Sequence, residues 1–144
     1  LERAIEVNPS SAMAYWALGS SFTQAGQPDA GIAMIEQAMR LSPQDPLMHE
    51  FIFSIGSAHF NASRYEEAVA FAKKSLGHKP GQPGSFRLLA AANAYLGRLG
   101  DASQALKEMM RIAPGMSEQH LRSFLPPSIV DRYVEGLRLA GWKG

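Results

Sequence analysis

Apolar residues recur along this chain at helical steps, in stretches separated by short polar breaks. Met13, Tyr15, Trp16, Leu18, Gly19 and Phe22 read as one helix. Gly26-Gln27-Pro28 breaks it, and Pro28 suits the first turn of the next helix, where its missing amide would have had no partner. Ile32, Ile35, Ala38, Met39 and Leu41 continue as a second buried stripe. Asp45-Pro46 reads as the N-cap and first residue of a third helix carrying Phe51, Ile52, Ile55, His59 and Phe60. Ser63-Arg64-Tyr65-Glu66 reads as a capping box, in which hydroxyl and carboxylate satisfy the open amides of a fourth helix. Its stripe is Ala68, Val69, Ala72 and Leu76. Gly81-Gln82-Pro83-Gly84 predicts a turn into a fifth helix with Phe86, Leu89, Ala90 and Ala94. Gly97-Arg98-Leu99-Gly100 leads to a sixth with Ala102, Ala105, Leu106, Met109 and Ile112.

A similar helical phrase closes at each of Pro9, Pro43, Pro80 and Pro114, which stand 34, 37 and 34 residues apart. A fixed period near 34 is the signature of a helix–turn–helix solenoid, because each unit buries its apolar face only against its neighbours. The longer interval places extra residues in the connection before the second full repeat. Beyond Pro114 the pattern changes. Ser117 to Phe124 predicts a short helix, and Leu125-Pro126-Pro127 stops it and starts another with Ile129, Val130, Tyr133, Leu137 and Leu139, ending at Gly141. The expected architecture is an all-α, right-handed superhelical solenoid. It comprises a remnant half-repeat over 1–9, three repeats over 10–114, and C-terminal capping helices over 115–144 that cover the exposed end face. Leu1 to Val7 reads as the last two turns of a helix whose partner is missing, so a fragment from the C-terminal end of a longer protein is expected.

These phrases resemble the tetratricopeptide repeat. The first matches its motif with Tyr15, Leu18, Gly19 and Phe22, then Gly31, Ile35, Ala38 and Pro43. The second matches with Ile52, Ile55, Gly56 and His59, then Ala68, Ala72, Ser75 and Pro80; the third with Phe86, Leu89, Ala90 and Asn93, then Ala102, Leu106, Met109 and Pro114. His59 and Asn93 replace an aromatic and Gly31 replaces an alanine, departures expected to loosen single contacts. The resemblance implies a module that holds other proteins. A narrower one joins the ending, mainly Glu135-Gly136-Leu137-Arg138 and Ala140-Gly141, to bacterial proteins that carry repeats behind a class III adenylate/guanylate cyclase domain. It implies a regulatory, protein-interaction and scaffolding part of a bacterial multidomain signalling protein. The alternative is a free-standing adaptor that binds an apolar peptide or helix.

In such repeats the first helix of each pair lines a concave groove. Here that helix would present Met13, Trp16, Ser20 and Gln24, then Glu50, Phe53, Ser57, Phe60 and Asn61, then Arg87, Ala91, Ala94 and Tyr95. Trp16, Phe53, Phe60 and Tyr95 lie beside the core stripe, where aromatics either contact a partner or pack under neighbouring helices or the cap. Repeats of this family that clamp a C-terminal carboxylate use Lys, Arg and Asn. Trp16, Ser20, Phe53 and Ser57 stand where that clamp would begin, so it is not expected, and an apolar segment or helix is the expected ligand.

Composition narrows the picture further. The 144 residues are 46% hydrophobic and 19% charged, enough to build a core. The 14 basic and 13 acidic residues leave a net charge of +1, which gives no pull toward nucleic acid or an anionic membrane. The longest apolar stretch, around Leu88 to Leu96, falls far short of the roughly 20 residues that span a bilayer. With no cysteine there is no disulfide, thiolate metal site or cysteine nucleophile, which fits a cytoplasmic setting. His49, His59, His78 and His120 have no metal-pair spacing, and Glu66-Glu67 diverge as neighbours on a helix. No catalytic residue, cofactor or metal is therefore expected; the partner is a protein or peptide, and self-association is a further expectation.

Overall fold

A computed structural model describes residues 9–144 as eight helices, and no strand occurs among them. They are α1 (Pro9–Gln24), α2 (Pro28–Leu41), α3 (Met48–Asn61), α4 (Tyr65–His78), α5 (Pro83–Tyr95), α6 (Leu99–Ile112), α7 (Glu118–Phe124) and α8 (Pro127–Leu139). The half-repeat expected over 1–9 lies, but for Pro9, outside the described residues. Three antiparallel hairpins, α1/α2, α3/α4 and α5/α6, stack through α2 on α3 and α4 on α5. The first helices α1, α3 and α5 touch more lightly and form a shared face.

The three hairpin turns are built alike. Gly26, Ser63 and Gly97 take φ of 83°, 61° and 78°. Each following amide donates back five residues: Gln27 to the Phe22 carbonyl, Arg64 to His59 and Arg98 to Asn93. That is a Schellman ending, which needs a left-handed residue just past the helix. Ser63 thus stands where the other repeats have glycine, and this corrects the capping-box reading. Arg64 precedes α4 with no side-chain cap, the Ser63 hydroxyl accepts from Arg132, and Glu66 takes Arg98 instead. Asp45-Pro46 is likewise displaced from its expected place. α3 starts at Met48, and Asp45 holds the preceding turn by accepting from the Leu47 amide at 2.8 Å. The connection 42–47 is two residues longer than 79–82, which places most of the extra interval before the second repeat. Pro28, Pro83 and Pro127 all open helices at the first turn.

Gly31 does the opposite of loosening its contacts. A Cβ there would lie 2.6 Å from the Gly19 carbonyl oxygen, and one on Gly19 would lie 2.6 Å from Ile35. The α1/α2 backbones approach closely because both positions lack a side chain.

Three apolar clusters run along the stack. Ala12, Ile35, Ala38, Phe51 and Ile55 join the first hairpin to the second. Phe60, Val69, Leu88, Ala91, Ile129 and Tyr133 form the middle. Leu106, Met109, Met116, Leu121, Val130, Val134 and Leu137 close the C-terminal end. α8 therefore contributes to two clusters. Val130, Val134 and Leu137 cap the α5/α6 end as expected, but the helix packs chiefly on α5 and carries Ile129 and Tyr133 over the first-helix face. Gly136 permits this approach: a Cβ there would meet the Tyr95 ring at 2.9 Å and Ala91 at 3.0 Å.

Candidate functional site

Where α8 crosses the first-helix face it leaves a cavity of about 170 Å³. α1 contributes Ser20, Thr23 and Gln24; α3 contributes Phe53, Ser54, Ser57 and Asn61; α5 contributes Arg87. The roof is Leu125, Pro126, Ile129 and Tyr133 from the α7–α8 junction and α8. Helical periodicity explains the floor: Ser20 and Gln24, and likewise Phe53, Ser57 and Asn61, recur every four residues and so share a face. The floor is mostly polar and the roof mostly apolar.

Arg132 fastens the roof. It donates to the carbonyls of Phe60 (2.7 Å) and Asn61 (3.0 Å) at the end of α3, and to the hydroxyls of Ser63 (3.1 Å) and Tyr65 (2.7 Å). A cation at a helix C-terminus complements its unpaired carbonyls and dipole. The Tyr95 hydroxyl donates to the Arg132 carbonyl at 2.7 Å, and Tyr133 stacks on Phe60 at 4.4 Å.

Of the residues expected in the groove, Ser20, Gln24, Phe53, Ser57, Asn61 and Arg87 line this cavity. Trp16 borders it, donating Nε1–H to Ser54 at 2.7 Å and packing edge-on against Phe51. Phe60 is fully buried beneath Tyr133, and Tyr95 stacks on Tyr65 at 4.9 Å under α8. Phe60 therefore packs within the chain, as do Ala91 and Ala94, whereas Tyr95 is covered on one side by α8 and remains half-buried. Met13 is exposed on α1 away from the cavity. Glu50 sits at the opposite end of α3, accepting from Gln82 at 2.7 Å. Sequence reasoning missed Ile129 and Tyr133. Their place on an apolar stripe marks them as buried but does not say against which helix.

Burial sets the electrostatics. Arg87 is 6% exposed and its pKa is lowered by desolvation, with Tyr133 opposing the shift. The Tyr133 hydroxyl is pushed up by burial, and Tyr95 is pushed up to about 12 by burial and then by the Glu135 carboxylate. His59 is lowered, first by burial and then by Arg64, whose Nε–H donates to its Nδ1 at 2.9 Å. Among the described residues no cluster of three metal-ligating side chains occurs, and no helix is long and apolar enough to cross a membrane.

A stack of helical hairpins with a shared first-helix face is the architecture of a protein-interaction solenoid. The tetratricopeptide repeat model matches residues 1–46 and 21–83, so the chain belongs to the tetratricopeptide repeat family, a class of non-enzymatic scaffolds and adaptors. It is 32% identical over 94 residues to a small glutamine-rich tetratricopeptide repeat-containing protein 2 of Mycosarcoma maydis, matching 65% of this chain and 26% of that protein. The chain thus spans about a quarter of the length of that curated relative. Among solved structures, the first repeat domain of Spaghetti (RPAP3) bound to an HSP90 peptide superimposes with a TM-score of 0.70 at 16% identity, covering 94% of each chain. PilW, a type IV pilus biogenesis factor, gives a TM-score of 0.71 at 21% identity over 96% of this chain and 62% of its own. At these identities the likeness is one of fold.

Proposed function

We propose that this module binds a peptide segment of a partner protein on the first-helix face, in the cavity roofed by α8. The observation that carries the reading is the cavity itself, where polar floor and apolar roof meet over the shared face of α1, α3 and α5. A structural neighbour with the same fold is bound to a peptide. Gln24, Phe53, Asn61 and Arg87 are the contact residues, and Trp16 supports the wall. The ligand is a short segment with an apolar side for Leu125 and Ile129, and a cytoplasmic adaptor is the role that fits. The ending from Glu135 to Trp142 supports a second setting for the same activity, as the regulatory part of a bacterial cyclase-type signalling protein. Self-association competes with peptide binding only if a second copy enters the same cavity.

The test is a displayed peptide library selected on the wild-type chain, with binders then measured by fluorescence anisotropy. Ser57→Trp fills the cavity from its floor and is expected to abolish binding while the helical circular dichroism persists. Equal affinity for the plugged and wild-type chains would overturn the assignment.

A further inference from the structure

We propose that a recess on the second-helix face, between α4 and α6, receives the indole ring of a tryptophan from a partner protein. The recess shares no lining residue with the cavity beneath α8.

The repeat register locates it. Counterparts in the second and third repeats stand 34 residues apart, as Ile52 and Phe86 do, or Ala68 and Ala102. In the second repeat two rings fill the contact between α3 and α4. His59 stacks on Phe71, with centroids 5.3 Å apart and planes inclined by 23°. Their counterparts in the third repeat are Asn93 and Ala105. The turns that follow α3 and α5 are built alike, so side chains make the difference. Two rings are lost at one place, and a recess of about 180 Å³ stands there. Phe86, Leu89 and Asn93 of α5 line it, with Ala105 of α6.

Asn93 gives the recess its chemistry. The residue is 3% exposed, and among the described residues its side-chain amide has no hydrogen-bond partner. His59 is better served, accepting at Nδ1 from Arg64 at 2.9 Å. The counterpart of Arg64 is Arg98, which is engaged by Glu66 instead. A buried amide without a partner is costly, so an occupant that bonds it is favoured over one that only fills space.

Three features select indole. The space is that of an imidazole and a phenyl ring together, which a bicyclic ring fills better than a single one. The indole N–H is a donor only and suits the Asn93 Oδ1, whereas a phenyl ring would leave the amide unpaired. Around the rim Lys73 offsets Asp101, and Glu108 is paired with Arg111 at 3.0 Å, so the recess matches a neutral group. Half-buried Phe86 and Leu89 supply apolar contact for the ring. A large aromatic seated in a recess is the usual anchor of a protein interface, which makes a partner protein its source.

The test follows the Asn93 side-chain amide resonances of the full 15N-labelled chain during titration with N-acetyl-tryptophanamide. The expected result is a saturable shift with half-saturation in the millimolar range. The Ser57→Trp chain, plugged at the other cavity, should show the same shift. N-acetyl-1-methyltryptophanamide and N-acetyl-phenylalaninamide should each bind about fivefold more weakly. No saturable shift at Asn93, or equal binding of the three compounds, would overturn the proposal. Loss of the shift in Ser57→Trp would also overturn it, by moving the ligand to the cavity beneath α8. Tighter binding of free tryptophan than of its capped amide would rule out a partner protein as the source. Ala105→Phe restores the ring that Phe71 supplies one repeat earlier, and should abolish binding while the helical circular dichroism persists. Asn93→Leu, read at the Ala105 backbone amide, should bind the tryptophan and phenylalanine amides within about twofold of each other. A retained fivefold preference there would contradict Asn93 as the acceptor.

Discussion

Gly31 and Gly77 both interrupt helices, and the structure assigns them opposite tasks. Gly31 faces the Gly19 carbonyl across the α1/α2 contact, whereas a Cβ on Gly77 meets nothing within 4 Å. Gly31→Ala is expected to lower stability by about 1–3 kcal/mol through forced separation of the helices. Gly77→Ala should raise it by about 0.5–1 kcal/mol, because alanine loses less backbone entropy. Urea midpoints of the two variants read this directly. The sequence marked Gly31 as a departure from the motif, but only the distance between two backbones separates a close approach from a weak point. Titration belongs to the same scale. His59 is held below its ordinary 6.5, so its contribution is complete above pH 6.5 and is lost as pH falls from there through the folded value. Tyr95, raised to about 12 from 10.0, contributes fully below pH 10 and loses that contribution as pH rises toward 12. Thermal melts against pH should show both flanks, with His59→Gln removing part of the acid one and Tyr95→Phe part of the alkaline one.

At the scale of elements, α8 carries the departure from simple repetition. The proline phrases and apolar steps make the six repeat helices legible, because stacking at a fixed period leaves a fixed mark. The apolar stripe of α8 was equally legible, yet its partners were not. Arg132 reaches carbonyls about seventy residues away in sequence, and backbone carbonyls leave no trace in an amino-acid pattern. Ser63 was obscured for a related reason: serine followed three residues later by glutamate fits a capping box, and only its φ of 61° reveals a helix C-terminus. Arg132→Ala should remove the charge-assisted bonds that fasten α8, at a cost of about 1.5–3 kcal/mol. Gly136→Val should push α8 off Tyr95 and Ala91. Hydrogen exchange is expected to quicken across Pro127–Leu139 in both variants and to stay slow in α3 and α4. Uniform acceleration would mean that α8 belongs to the global unit instead of closing over it.

For the whole molecule, three hairpins and a closing helix leave a recess on the first-helix face. Phe53 and Phe60 show why half of the candidate groove was legible and half was not. They stand seven residues apart on one face of α3, so periodicity treats them alike. Tyr133 of α8 buries Phe60 completely and leaves Phe53 at the cavity. Function is therefore expected to concentrate where α1 and α3 remain uncovered, at Gln24, Ser57 and Asn61, with Arg87 of α5 beside them. The most direct measurement is a map of amide chemical shifts on adding a library-selected peptide to the full chain. The largest changes are predicted at Ser20, Ser57, Arg87 and Tyr133. Changes confined to the second-helix face around Lys73, Gln104 and Glu108, with the cavity residues unmoved, would contradict the proposed site.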